Sequence, residues 1–268
     1  MTRHLILRLE APLTSYGAEA IDNFGVVDDF PALSMLTGLL ANALGWRRGH
    51  DAAAHQRLQD RLVFAARLDR EGRRLTDYQT ARLYSTSRGW TTRGRPEGHE
   101  WNSTSWELDE AHLQRTGIKR YALTHQRHRD YDADSLCVVA LRLDPPGETP
   151  TLDDLAQALD EPARPLFIGR KPCLPASRLF AGWSDGQDAH QALSRIPWQG
   201  VRHATARDRR KEKEPPSCLR AQWPEGEGPY LRGHEERRPV TDERNWHGGL
   251  HGGSRLVIRG LLQLEAVP

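Results

Sequence analysis

The sequence contains few cysteines and no long hydrophobic run. Its cysteines, Cys137, Cys173 and Cys218, are three in number and far apart, and no Cys-x-x-Cys pair occurs. This spacing favours neither a disulfide framework nor a zinc site. No apolar run approaches the ~20 residues that span a bilayer, and the N-terminus lacks the pattern of a signal peptide. We therefore expect a cytoplasmic protein that does not associate with membranes.

The common catalytic motifs are also missing. The chain has no Gly-x-x-x-x-Gly-Lys-Ser/Thr loop, no Gly-x-Ser-x-Gly and no Gly-x-Gly-x-x-Gly, which disfavours an NTPase or a serine hydrolase. His247 and His251 are four residues apart, but the glycines around them argue against the helix that a metal site with this spacing needs. We therefore expect no metal site and no other cofactor.

Lysine is scarce and arginine is abundant. Of 38 basic residues four are lysine and 34 are arginine, and with 36 acidic residues the formal net charge is +2. The planar guanidinium suits phosphate groups and stacks on bases, although codon usage in a GC-rich genome explains the bias equally well. Two clusters, at 126–129 and 207–214, fall in predicted loops, where a charge run is usually a solvated surface.

Hydrophobic periodicity predicts alternating strands and helices in the first 183 residues. Ser34 is positioned to cap one helix that Gly45 ends, and Thr151 to cap another. The predicted strands cover 4–12, 63–69 with a hairpin extension at 73–81, 135–143 and 177–183, and the predicted helices cover 34–46, 51–62 and 151–160. This order predicts an α+β protein with a ferredoxin-like (RRM-like) βαββαβ domain.

Two other regions complete the predicted organisation. Periodicity vanishes from 82 to about 134, where arginines and tryptophans interleave as in an arm that contacts nucleic acid. We expect a domain over 1–183 with an insertion at 82–130, followed by a small β-rich region with a Gly-rich loop over 184–268. The C-terminal region has one good strand pair.

The stretch "LFIGRKPCLPASRLFAG" (166–182) places a Gly-Arg-Lys-Pro turn between apolar segments. Gly169 leaves the backbone free to approach a ligand. Arg170 and Lys171 supply charge, and Pro172 stiffens the exit. Cys173 is most simply a small buried residue. The turn is either ordinary loop chemistry or part of a phosphate cradle.

Five segments carry a resemblance to a known family. They are "LILRLEAPLTSYG" (5–17), "FPALSMLTGLLANALGW" (30–46), "DYQT" (77–80) with "RDYDADSLCVVAL" (129–141), the stretch at 166–182, and more loosely "PVTDERNWHGGLHGGSRLVIRG" (239–260). Together they resemble the Cas-five family (RAMP superfamily) of type I-E CRISPR Cascade complexes, in the same order and over nearly the whole chain.

The resemblance implies a non-catalytic subunit that caps the 5′ handle of the guide RNA, or crRNA, in antiviral defence. It implies that 82–130 is a thumb over the guide. The implied partners are a CasC-type backbone subunit, a CasA-type large subunit and, through the assembled complex, target DNA. Matching positions predict RNA contacts by Ser15, Tyr16, Gly17, Ser34, Thr37, Arg127, Arg129, Gly169, Arg170, Lys171 and Pro172.

Alternatives remain open at this point. Ser34 can act as a helix cap alone, and Tyr16 can be a packing residue. A relative in subtype I-C cleaves precursor RNA, so a metal-independent endoribonuclease using Tyr16, or His125 and His128, is the first alternative function. The second alternative is a stand-alone RRM-like protein that binds RNA well without partners.

Overall fold

The computed structural model describes residues 1–18, 24–83, 106–108, 114, 121–200, 216–231 and 233–265. The chain forms two compact units. The main unit comprises Met1–Glu19, Val26–Leu75 and Asp130–Pro268, and the small unit comprises Ala20–Gly25 and Thr76–Arg129. Within the described ranges, no helix is both long and apolar enough to cross a bilayer.

The described elements follow the chain in a mixed α+β order. They are β1 (Thr2–Glu10), β2 (Leu13–Thr14), β3 (Phe24–Gly25), α1 (Leu33–Ala43), α2 (Ala52–Arg61), β4 (Leu62–Arg70), β5 (Arg73–Leu83), β6 (Trp106–Leu108), β7 (Tyr121–Ala133), β8 (Leu136–Leu143), α3 (Leu152–Asp160), β9 (Phe180–Gly186), α4 (Ala189–Ser194), β10 (Cys218–Pro224), β11 (Glu236–Asn245) and β12 (Leu250–Gln263).

Seven strands of the main unit form one sheet in the order β11-β12-β10-β4-β8-β1-β9. Every neighbouring pair in this sheet is antiparallel. The predicted C-terminal strand pair is therefore joined to the rest of the sheet, since β12 lies between β10 and β11 and β10 pairs with β4.

Both faces of the sheet centre are covered, and the strand sequences reflect this. Leu5, Leu7 and Leu9 of β1 pack into a core shared with α1 and α3, whereas Ile6 packs on the opposite face with α4. The side chains of β1 thus alternate between the two faces of the sheet. Strand β8 reads as a continuous apolar run because its alternate residues enter different cores.

Helix α1 begins differently from the prediction. Its N-cap is Ala32, which makes no side-chain cap bond, so the prediction that Ser34 caps the helix is wrong. Instead the carboxylate of Asp242 on β11 accepts a hydrogen bond from the Leu33 backbone N–H at 3.0 Å. By contrast, Thr151 and Asp154 form the complete capping box of α3, which confirms the prediction there.

The predicted long loop contains a major strand. Strand β7 runs from Tyr121 to Ala133 and includes the basic cluster 126–129, so placing that cluster in a loop is wrong. β7 pairs with β2, β3, β5 and β6 in a second sheet. Strand β5 therefore pairs with β7, and not with β4 as the predicted hairpin requires. The cluster at 207–214 lies outside the described residues.

Two of the arginines serve the interior of the protein. Arg61 is fully buried and donates hydrogen bonds to the carbonyl oxygens of Pro145, Glu148 and Pro150. Arg67 is fully buried, pairs with Asp69 and donates to the carbonyl oxygens of Leu193 and Ile196. These guanidiniums satisfy carbonyl groups of loops and of the end of α4, so the arginine content is partly structural.

Candidate nucleic-acid interface

Two loops that are distant in sequence meet in the main unit. The Ser15 backbone N–H donates to the Ile168 carbonyl at 3.3 Å. The turn that follows is closed by two further bonds, from the Ile168 N–H to the Cys173 carbonyl at 2.7 Å and from the Cys173 N–H to the Arg170 carbonyl at 2.9 Å. The segment 13–17 and the Gly-Arg-Lys-Pro turn therefore form one surface.

Gly169 makes this meeting sterically feasible. Its φ is +89°, and a Cβ added there would lie 1.6 Å from the Ser15 carbonyl oxygen. Backbone atoms cannot give way at that distance, so no other residue fits without moving the turn. The sequence predicted that the missing side chain of Gly169 lets a ligand approach the backbone. In the structure it lets the backbone of Ser15 approach instead.

The charged residues of the turn have different environments. Arg170 is half-buried, donates from Nη1 to the Asp130 carbonyl at 2.8 Å, and lies 5.0 Å from the Tyr131 ring centroid. Lys171 and Pro172 are exposed. Lys171 forms no ion pair with any residue that the structure describes. Arg170 thus positions the turn, whereas Lys171 presents its charge to solvent.

Tyr16 is a core residue. Its side chain is 1% exposed and belongs to the main hydrophobic core. Burial raises the pKa of its hydroxyl well above the usual value, which disfavours a role as general base. The prediction of an RNA contact through the Tyr16 side chain is therefore corrected: Ser15 is buried too, and Gly17, at φ +79°, is the exposed residue of this loop.

The first turn of α1 is occupied by the protein itself. Thr37 is buried, and its Oγ1 donates to the Leu33 carbonyl at 2.8 Å, so its predicted side-chain contact with RNA is also corrected. Ser34 lies half-buried within the same turn. The Asp242 carboxylate, which also binds Arg255, already takes the position that an anion would occupy at this helix N-terminus.

Strand β7 carries the remaining predicted residues in the small unit. Arg127 and Arg129 are half-buried, and among the described residues neither has a carboxylate partner within ion-pair distance. Arg127 donates from Nη1 to the Gln126 carbonyl at 3.1 Å. Since successive side chains of a strand alternate between faces, His128 projects from the face opposite to both arginines.

The described residues contain no cluster suited to metal binding and no disulfide. No group of three or more His, Cys, Asp or Glu side chains suited to a metal ion occurs among the described residues. The three cysteines are unpaired; Cys137 and Cys173 are buried and Cys218 is exposed. Burial raises the pKa of Cys173, and the prediction that it is a small buried residue under the turn is confirmed.

These observations define an α+β protein of predominantly antiparallel sheet, in which two loops distant in sequence join into a single surface with an exposed lysine. The family model described as CRISPR-associated protein (Cas_Cas5) matches residues 4–258. The chain therefore belongs to this family of CRISPR-associated proteins, and the resemblance inferred from its sequence segments is confirmed.

Known relatives agree with this membership. The chain is 28% identical over 193 residues to the CRISPR system Cascade subunit CasD of Escherichia coli (strain K12), covering 72% of this chain and 76% of the relative. Among solved structures, it is similar to a chain of a CRISPR RNA-guided surveillance complex, with TM-score 0.57, 20% identity and coverage of 98% and 91%. A crystal structure of a Cas protein matches with TM-score 0.59, 23% identity and coverage of 99% and 97%. The two structural likenesses indicate a shared fold.

Proposed function

We propose that this chain is a non-catalytic subunit of a type I-E Cascade complex that binds and caps the 5′ handle of the crRNA. The observation that carries the proposal is the joined surface of segment 13–17 and the Gly-Arg-Lys-Pro turn, which presents Gly17, Lys171 and Pro172 to solvent. Membership of the Cas_Cas5 family and the relative named as a Cascade subunit support it.

The proposed scaffold is ferredoxin-like. The strand order β9-β1-β8-β4 within the larger sheet, with α1 and α3 packed in one core, supports this arrangement. Residues 1–183 would form the handle-binding domain, 82–130 the thumb, and 184–268 the extension that contributes β10, β11 and β12.

The proposed contacts divide by type. At the joined surface, Lys171 would bind phosphate as a point charge, while Gly17 and the Gly169 turn would offer backbone groups. Arg170 would act mainly by holding the turn. In the small unit, Arg127 and Arg129 would bind phosphate. The single strand would be positioned by these phosphate contacts, which carry no sequence information by themselves.

The proposed partners are those of a Cascade subunit. They are the crRNA, a CasC-type backbone subunit and a CasA-type large subunit, with target DNA reached through the assembled complex. Assembly into such a complex is supported by the relative named as a Cascade subunit and by the similar chain in an RNA-guided surveillance complex. Cytoplasmic location stays a prediction.

Lys171→Gln tests the joined surface most cleanly, since the side chain is exposed and forms no described ion pair. Affinity for the repeat RNA, measured by filter binding with the purified complex, is expected to fall about two- to fivefold at low salt. The slope of log affinity against log salt is expected to decrease by about 0.7, the value for one phosphate contact on a single strand.

Arg238→Gln is the matched control, because Arg238 is also exposed but lies on β11, at the edge of the sheet opposite to β9. It removes the same charge and should leave both affinity and slope unchanged. If the two substitutions have equal effects, Lys171 contributes only to the net charge of the protein, and its proposed contact with a phosphate is overturned.

The endoribonuclease alternative is disfavoured by the burial of Tyr16, which removes one of its proposed bases. Its direct test is incubation of the purified protein with repeat RNA in the absence of metal. A single cut at the handle boundary would establish cleavage. Strong RNA binding by the isolated chain, undiminished without its partner subunits, would instead favour a stand-alone RNA-binding protein.

A further inference from the structure

Three aromatic rings form a continuous row across the small unit. The rings of Phe24 and His128 are stacked, with centroids 4.9 Å apart and planes inclined by 17°. Tyr78 continues the row, with its centroid 5.1 Å from that of His128 and an angle of 49°. We call these three residues the aromatic row. His128 is its central member.

The row is built by strand pairing. Phe24 and His128 are direct partners in the parallel pairing of β3 with β7, and Tyr78 lies on β5, which also pairs with β7. Three adjacent strand segments thus each place one ring on the same face. Cross-strand aromatic contacts of this kind fix the orientation of each ring before any ligand arrives.

The row is open to solvent. Phe24 is 50% exposed and Tyr78 is 53% exposed, while His128 between them is half-buried. Single exposed apolar residues are ordinary on protein surfaces, but contiguous exposed aromatic groups mark interaction sites. A preformed row of rings that is exposed at both ends is suited to a planar ligand that stacks.

Charge on the same strand favours an anionic ligand over a protein. Arg127 and Arg129 flank His128 in sequence and have no described carboxylate partner. The nearby Asp77 accepts a hydrogen bond from the Gln79 side-chain amide at 2.6 Å and forms no ion pair with either arginine. β7 therefore carries aromatic rings on one face and two arginines on the other. No described carboxylate neutralises the charge of these arginines.

We propose that the aromatic row of Phe24, Tyr78 and His128 is a stacking site for an unpaired base of the crRNA, with the positive charge of Arg127 and Arg129 on the opposite face of β7 attracting the anionic strand. The inference rests on the proposed function and adds to it a base-binding site that the sequence motifs did not indicate. Sheet-borne aromatic residues stack bases without reading their identity, so the site would position the strand rather than select a sequence.

The test uses the purified Cascade complex and a repeat RNA in which 2-aminopurine replaces one purine at a time. Stacking on an aromatic ring changes the fluorescence of this base. The wild-type complex is expected to quench one position strongly. Tyr78→Leu and Phe24→Leu are expected to relieve that quenching and to weaken RNA binding about five- to hundredfold, the range for loss of one base–aromatic stack.

Two control variants make the readout specific. Tyr78→Phe keeps the ring and should keep the quenching. Tyr230→Leu removes a similarly exposed tyrosine from the main unit and should change nothing.

The outcomes separate this inference from the proposed function. If the wild-type complex binds the RNA but quenching survives both leucine variants, the row is not the stacking site, while handle binding stands. If the variants lose a partner subunit at unchanged RNA affinity, the row is a protein contact and the inference is overturned. If the wild-type complex binds no RNA, both proposals fall.

Discussion

Replacing Gly169 by alanine tests whether the two loops of the interface depend on one close backbone contact. The new Cβ would lie 1.6 Å from the Ser15 carbonyl oxygen and 2.7 Å from its carbonyl carbon, far inside van der Waals contact. The turn must therefore move away from segment 13–17. That movement breaks the bond from the Ser15 N–H to the Ile168 carbonyl.

The expected cost follows from these changes. Holding alanine at φ +89° costs about 1–2 kcal/mol, the lost backbone hydrogen bond about 0.5–1.5 kcal/mol, and the displaced packing of the turn adds to both. We expect a loss of about 2–4 kcal/mol in the free energy of unfolding, which lowers Tm by about 5–15 °C for a unit of this size.

Gly49→Ala is the matched control. Gly49 has nearly the same φ, +88°, but a Cβ there would meet nothing within 4 Å. It isolates backbone strain, so we expect a loss of about 1–2 kcal/mol. Thermal unfolding followed by circular dichroism measures both variants. If Gly169→Ala costs no more than Gly49→Ala, the reasoning about the close contact is refuted.

RNA affinity gives a second reading of the same variant. Gly169→Ala displaces Lys171 together with the turn, so it should weaken handle binding as well as stability. Lys171→Gln should weaken binding while leaving Tm within about 1 °C, because the side chain is exposed. If the Gly169→Ala protein is less stable but binds RNA with full affinity, the turn is not part of the RNA-binding surface.

Two further predictions concern residues away from that surface. Asp242→Ala removes both the acceptor for the Leu33 N–H and the partner of Arg255, so it should cost about 2–4 kcal/mol in urea unfolding, while Glu243→Ala on the same strand should cost less than about 1 kcal/mol. Burial lowers the pKa of His4 below its ordinary 6.5, so the folded state resists its protonation and stability falls as pH drops below about 6.5. His4→Leu should make the loss of stability between about pH 7 and pH 5 smaller; an unchanged pH profile would contradict this assignment.

Local sequence signals predicted those elements whose determinants are local. Thr151 with Asp154 defined the start of α3, and the alternation of Leu5, Leu7 and Leu9 defined β1, because capping and strand periodicity depend on neighbours in sequence. The start of α1 could not be predicted in this way. Its capping carboxylate comes from Asp242, at the far end of the chain.

The small unit shows the same limit. The cluster at 126–129 lacks apolar alternation, so it reads as a loop, yet pairing with β3 and β5 makes it a strand. The sequence did not indicate Phe24 as a functional residue for the same reason. Only the strand register that places Phe24 opposite His128 gives its ring a neighbour to stack on. Propensity yields to strand pairing wherever the partner strands supply the hydrogen bonds.

The sequence by itself determined the α+β class, the family, and the positions of the motifs, because these depend on periodicity, capping residues and the order of segments along the chain. Only the tertiary structure decided which motif residues face solvent. Tyr16 and Thr37 lie in motifs but are buried, Gly169 serves a contact within the chain, and Lys171 presents its charge outward. Exposure is a property of the packed chain, since it depends on which distant segments cover a residue.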